Sequence, residues 1–114
     1  MEIDEQRLQG VPVLSLQGRV GYKETPRLKE ELSRLVQQGH KHLILDMSDV
    51  DFLCSWAIGN ILTTNGRLRK DAGGVCLSRV KPELKELLDL LGLQGTLKTY
   101  PTTKDAARAV GEKE

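Results

Sequence analysis

Cys54, Ser55 and Trp56 stand in a row between an apolar run and the start of a helical pattern, and Trp56 is the only tryptophan of the 114-residue chain. A thiol or hydroxyl becomes a nucleophile when a neighbouring base takes its proton, most often a histidine. The only two histidines, His40 and His42, lie at the other, N-terminal end of the run HLILDM that leads toward Cys54. At ~3.3 Å per residue, a strand of that length holds imidazole and thiol far outside hydrogen-bond reach. Without a base, Cys54 reads as a small buried hydrophobe, although a helix N-terminus could lower its pKa, and an enzyme using Cys54 is kept as an alternative. Asp46, Asp49 and Asp51 could suggest a cation site. DMSDVD lacks the Gly and the distal Glu of a calcium loop, so these acids read as strand-end and turn residues. Neither GxxxxGK[ST] nor GxGxxG occurs, and Gly73-Gly74 precedes a strand, the wrong context for a phosphate-binding turn. No cofactor or metal is implied.

Ser55 admits two readings. It is a helix N-cap and nothing more, or it is a phosphate acceptor. The second rests on position: ligand sites of α/β sheets collect at the carboxyl ends of central strands, where a helix N-terminus offers free N–H groups and a positive dipole end. A phosphate there adds about −1.5 to −2 charges to a surface already carrying Asp49 and Asp51. Trp56 has two readings as well. A tryptophan more commonly packs inward, and one that points outward beside Ser55 is a natural interface anchor.

These residues need a scaffold, and the composition bounds it. With 39% hydrophobic and 29% charged residues, the chain describes an ordinary soluble globular domain spanning 1–114. Seventeen Lys and Arg against sixteen Asp and Glu leave a net charge of +1, too balanced for a nucleic-acid binder. The stretch Leu87–Leu93 is broken by Asp89 and Gly92 and falls short of the ~20 apolar residues that span a bilayer, so no membrane insertion is expected. The acidic start, with Glu2, Asp4 and Glu5, lacks a basic region and an apolar secretion core, which points to the cytoplasm. Cys54 and Cys76 have no paired spacing and read as reduced, buried thiols in a monomer or weak dimer.

The pattern predicts β-β-α-β-α-β-α-β-α. Glu2–Gln9 and Val11–Leu16 form a hairpin about Gly10, and Glu24–Gln38 is a helix with Thr25 as cap, Pro26 in the first turn and Gly39 as stop. His42–Met47 lacks alternation and suits a central strand covered on both faces. Trp56–Lys70 is helical with Ser55 at its N-cap. Val75–Ser78 is a strand, Pro82–Leu91 a helix, Leu97–Tyr100 a short strand, and Thr102 or Thr103 caps a terminal helix. The expected core joins Leu43, Ile44 and Leu45 to Leu28, Leu32, Leu35, Ile58, Ile61, Leu62, Leu87 and Leu88. The fold class is therefore α/β, a mixed, mainly parallel sheet of four to five strands with about four helices.

This order, and the stretch HLILDMSDVDFLCSWAIGNIL, resemble STAS domains, the family of bacterial anti-sigma factor antagonists and of the cytoplasmic tails of sulfate transporters. The resemblance extends through LSLQGRV, KDAGGVCLSRVKPELKELLDLLGL and TKDAARAV. The family's usual signature, Asp-Ser-Ser/Thr-Gly-Leu-Gly, falls on Cys54, Ser55, Trp56, Ala57, Ile58 and Gly59. The resemblance implies that Ser55 is the phosphate acceptor, while Cys54 stands for the Asp, Trp56 for a small hydroxyl residue and Ala57 for the Gly. A second acidic position of the family falls at or near Gly21. The resemblance also implies a binding protein and not an enzyme. Its partner would be an anti-sigma factor of the GHKL serine kinase type, and a PP2C-type phosphatase would reverse the modification. The implied partner surface comprises Arg19, Gly21, Tyr22, Lys23, Cys54, Ser55, Trp56 and Gly59. A constitutive scaffold or assembly subunit without a phosphate cycle, in a stress-sensing complex or a lipid-transport ATPase, is the alternative.

Overall fold

Two residues with positive φ, Gln9 at 51° and Gly10 at 78°, close a tight hairpin in which Leu8 faces Val11. A two-residue turn of this handedness matches the twist of the strands it joins. In the computed structural model, which describes residues 1–111, the hairpin comprises β1 (Glu2–Leu8) and β2 (Val11–Val20). Next along the chain come α1 (Thr25–Gln37), β3 (His42–Leu53), α2 (Ser55–Arg69), β4 (Gly74–Ser78), α3 (Pro82–Leu90), β5 (Thr99–Tyr100) and α4 (Thr103–Gly111). The sheet order is β1-β2-β3-β4-β5, antiparallel only between β1 and β2. This is the expected mixed, mainly parallel α/β sheet, with β3 at its centre.

β3 does not stop at Met47. It runs on to Leu53 because Val50 and Leu53 continue its buried side, and register shifts between Ser15 and Gln17 and between Gly18 and Arg19 keep β2 alongside. Such irregularities let one strand bend with its neighbour. Asp46, Asp49 and Asp51 are therefore strand residues and not turn residues.

One face of the sheet packs on α1, α2 and α3 through Leu28, Leu32, Leu35, Ala57, Ile58, Ile61, Leu84 and Leu88. The other face meets α4, whose Ala106 and Ala107 fit against Val11, Val13, Ile44 and Cys76. The two thiols thus lie in different clusters on opposite faces, which keeps them apart. Leu43, Ile44 and Leu45 are fully buried as expected. Leu62 is only half-buried, and Leu87 is 39% exposed, so it leaves the expected core. α3 turns only the stripe of Leu84 and Leu88 inward, and Leu87, Leu90 and Leu91 face water.

Strand alternation carries Ser15, Asp46 and Ser78 onto the same face, where the Ser78 hydroxyl lies 2.8 Å from that of Thr103 at the start of α4. Asp46 is 4% exposed and holds Arg79 through Nε at 3.1 Å and Nη2 at 2.5 Å, while the Ser48 N–H donates to it at 3.1 Å. Burial pushes its carboxyl up, but the Arg79 guanidinium and the Ser48 N–H outweigh burial and hold it below the usual carboxylate value. A depressed carboxyl stabilises the fold above the unfolded-state pKa of about 3.9, and that contribution is lost as pH falls through the folded value. Arg79 is half exposed, so solvent screens part of the pairing. We expect Asp46→Asn to lower stability at pH 7 by about 1–3 kcal/mol and to flatten the acid loss below pH 4. Urea unfolding at pH 7 and pH 3 checks this, and an unchanged pH dependence would contradict it.

At the opposite end of the sheet, the Gly74 N–H donates to Lys41 O at 2.9 Å as β4 enters beside β3. A Cβ on Gly73 would sit 1.9 Å from that same carbonyl oxygen.

Candidate functional site

The ends of β2 and β3 are tied together where the Cys54 N–H donates to Val20 O at 2.9 Å. Cys54 is extended, at φ −75° and ψ 163°, and its Sγ accepts the Ala57 N–H at 3.5 Å. It is the N-cap of α2. A thiol is a weaker acceptor than the usual cap oxygens, yet it satisfies a backbone donor that would otherwise be orphaned. Ser55, expected at this position, is instead the first helical residue, so its hydroxyl is free of capping.

Thr25 joins the neighbouring loop to this cap. Its hydroxyl donates to Gly21 O at 2.8 Å and lies 3.4 Å from Cys54 Sγ. Thr25 was expected to cap α1 by accepting a backbone N–H; it is buried and donates instead. Burial pushes the Cys54 thiol up. The Thr25 hydroxyl, which can turn to a charged sulfur, and the backbone N–H groups of Ala57 and Trp56 outweigh burial and leave it below an ordinary thiol. Burial alone pushes Cys76 up to about 12. Alkylation at neutral pH is therefore expected to modify Cys54 before Cys76, and both slowly, because each is less than a tenth exposed. Mass spectrometry of a labelling time course checks the order.

The surface above the cap is aromatic. Tyr22 is 62% exposed and Trp56 44%, and their rings stack with centroids 6.1 Å apart and planes at 27°. Trp56 thus points outward. The Tyr22 and Ser55 hydroxyls lie 3.2 Å apart, the only hydrogen bond of the Ser55 side chain among the described residues. Arg19 lays its guanidinium 3.9 Å from the centre of the Phe52 ring, a cation–π contact at the ends of β2 and β3. Lys81 pairs with Asp51. Gly59 is exposed, with open space where a side chain would be.

Of the expected surface residues, Tyr22 is thereby brought against Ser55 and Trp56 of α2, with Gly21 and Lys23 flanking it in the loop and Gly59 one turn further along the helix. Cys54 lies beneath them, buried, and so does Gly21 at the loop's start, covered by the Glu24 and Arg19 side chains. His40 and His42 stay at the far end of β3, and among the described residues no histidine pairs with Ser55 or Cys54. Among the described residues, no group of three or more His, Cys, Asp or Glu side chains converges on a metal position. The Ser55 hydroxyl, exposed and without an internal base, can accept a group from an external donor.

Sequence reasoning missed Glu24. Its carboxylate folds back to accept the Gly21 N–H at 2.8 Å, so an acid stands beside the glycine that occupies a family acidic position. The Gly21-x-x-Glu24 spacing, the second half of a capping box, carried that signal.

Comparison with known proteins agrees with the geometry. A family model described as the STAS domain matches residues 2–106. BtrV of Bordetella bronchiseptica, assigned as an anti-sigma factor antagonist, is 26% identical over 96% of this chain and 93% of its own length. The crystal structure of an anti-sigma factor antagonist from Mycobacterium paratuberculosis superposes with a TM-score of 0.85 at 28% identity, covering 96% of this chain and 92% of that one. SpoIIAA from Bacillus, in its phosphorylated form, superposes with a TM-score of 0.73 at 17% identity over 95% of this chain and 99% of that one. Among the described residues, no helix is long and apolar enough to cross a membrane.

Proposed function

The chain belongs to the STAS domain family, and from that premise we propose that it is an anti-sigma factor antagonist switched by phosphorylation of Ser55. Unphosphorylated, it binds an anti-sigma factor of the GHKL serine kinase type and displaces the sigma factor. The kinase transfers a phosphoryl group to Ser55 and the complex ends; a PP2C-type phosphatase restores it. The observation that carries this reading is the Ser55 hydroxyl, exposed at the N-terminus of α2 with capping left to Cys54.

The contact surface is Arg19, Tyr22, Lys23, Ser55, Trp56 and Gly59, supported from below by the buried Gly21 and Cys54. Gly59 fits a close approach. Glycine inside a helix costs roughly 0.5–1 kcal/mol relative to alanine, and nothing in the fold fills the space beside it. We expect Gly59→Ala to raise stability by that amount while weakening partner binding, read by thermal unfolding and by titration with the kinase. A gain in stability with unchanged binding would remove Gly59 from the surface.

Mass spectrometry after incubation with the cognate kinase and ATP tests the modification itself, with Ser55→Ala as control. Because Cys54 and not Ser55 is the cap, Ser55→Ala costs about 0.5 kcal/mol, the exposed hydrogen bond to Tyr22, and leaves binding intact. Absence of phosphate on Ser55 would favour the second reading, a constitutive assembly subunit. The aromatic pair over Ser55, in place of a small hydroxyl residue beside it, is the observation on that side.

A further inference from the structure

Tyr22 reaches two different residues of α2 from a separate loop. Its hydroxyl meets Ser55 Oγ at 3.2 Å, and its ring stacks on Trp56 at 6.1 Å. One side chain therefore touches both the modifiable hydroxyl and the exposed indole. With 62% of its own surface in water, Tyr22 is held by these two contacts more than by packing.

We propose that Tyr22 reads the state of Ser55 and converts it into exposure of Trp56: the ring covers the indole while Ser55 carries a free hydroxyl and leaves it when Ser55 carries a phosphoryl group. The inference rests on the reading of Ser55 as a phosphorylation site. In the modifying step, Ser55 Oγ attacks the terminal phosphorus of ATP. The Oγ–P bond forms as the P–O bond to ADP breaks, and the hydroxyl proton passes to the kinase's base or to water. The 3.2 Å gap that held one proton must then accommodate a group with three charged oxygens. Tyr22 cannot keep its position against that volume. Its O–H moves outward with the charge and donates to a phosphate oxygen, a charge-assisted bond about twice as strong as the neutral one it replaces. The ring is drawn off Trp56, and the half-open stack that held it is lost. Tyr22 thus adds a change of shape to the change of charge, so that a partner shaped to the stacked pair loses both together.

The chain reports on this device itself, because Trp56 is its only tryptophan. Phosphoserine incorporated at position 55 during synthesis removes any dependence on a kinase. Tryptophan emission and acrylamide quenching are then compared for the Ser55 and phosphoserine forms, each with Tyr22 and with Tyr22→Ala. With Tyr22 present, the phosphoserine form is expected to show red-shifted emission and stronger quenching. With Tyr22→Ala, the unmodified protein already gives the red-shifted, strongly quenched signal, and the phosphate adds nothing. Identical signals for the two forms with Tyr22 present would overturn the proposal. So would an equal response with Tyr22→Ala, which would assign the effect to the charge acting directly on the indole. Failure of a kinase to modify Ser55 would refute the phosphate cycle and leave this optical result to stand or fall on its own.

Discussion

Ser55→Asp is expected to weaken binding to the anti-sigma kinase by roughly 2 kcal/mol or more, close to thirtyfold in Kd, while leaving the fold intact. The fold survives because Asp suits the first turn of a helix, where its charge faces the positive end of the dipole. Cys54 keeps the cap in any case. Binding suffers because a carboxylate pressed into a fitted apolar contact loses its water without a cation to meet it. Calorimetric titration of wild type, Ser55→Ala and Ser55→Asp against one kinase preparation decides the matter, with thermal unfolding run alongside. Equal affinities for all three would take the switch away from Ser55.

Gly73→Ala is expected to be the most damaging single-atom change in the scaffold, costing about 3 kcal/mol or more. Its new Cβ would lie 1.9 Å from Lys41 O, and that oxygen is backbone, not the end of a flexible side chain. Lys41 O also accepts the Gly74 N–H that opens the pairing of β3 with β4, so any shift to relieve the overlap disturbs the first rung of the ladder. Urea unfolding measures the loss. A cost below 1 kcal/mol would mean that the turn can move without unpairing the strands.

Much of the scaffold was readable from pattern because its periods are clean. Leu28, Leu32 and Leu35 repeat at helical spacing, and HLILDM is apolar without alternation, as a strand covered on both faces requires. The second half of β3 was not readable. Asp49 and Asp51 look like turn residues, and only the burial of Val50 and Leu53 overrides that local preference. Leu87 was misplaced for the converse reason: an apolar residue at helical spacing need not face inward when its helix buries only a narrow stripe. At the site, sequence put Ser55 at the N-cap of α2, the position that Cys54 holds. Cysteine is a rare cap, and nothing in a one-dimensional pattern says that a thiol rather than the adjacent hydroxyl turns back to Ala57. The stacking of Tyr22 on Trp56 joins residues 34 positions apart, a tertiary fact that spacing cannot carry.

The outer strand of the hairpin has one more effect, on how the protein behaves when concentrated. β1 offers its outer backbone edge to solvent, the feature by which sheets from separate molecules can fuse. Its sequence, EIDEQRL, sets Glu2 and Asp4 along that edge, while Glu5 is neutralised by Arg7 and by Arg34 of α1. Two copies meeting edge to edge in parallel register would set Glu2 on Glu2 and Asp4 on Asp4, like charges directly opposite one another. At the other margin, β5 is only two residues long, too short a template for a stranger to extend. The sheet is thus guarded against open-ended stacking at one side by charge and at the other by brevity.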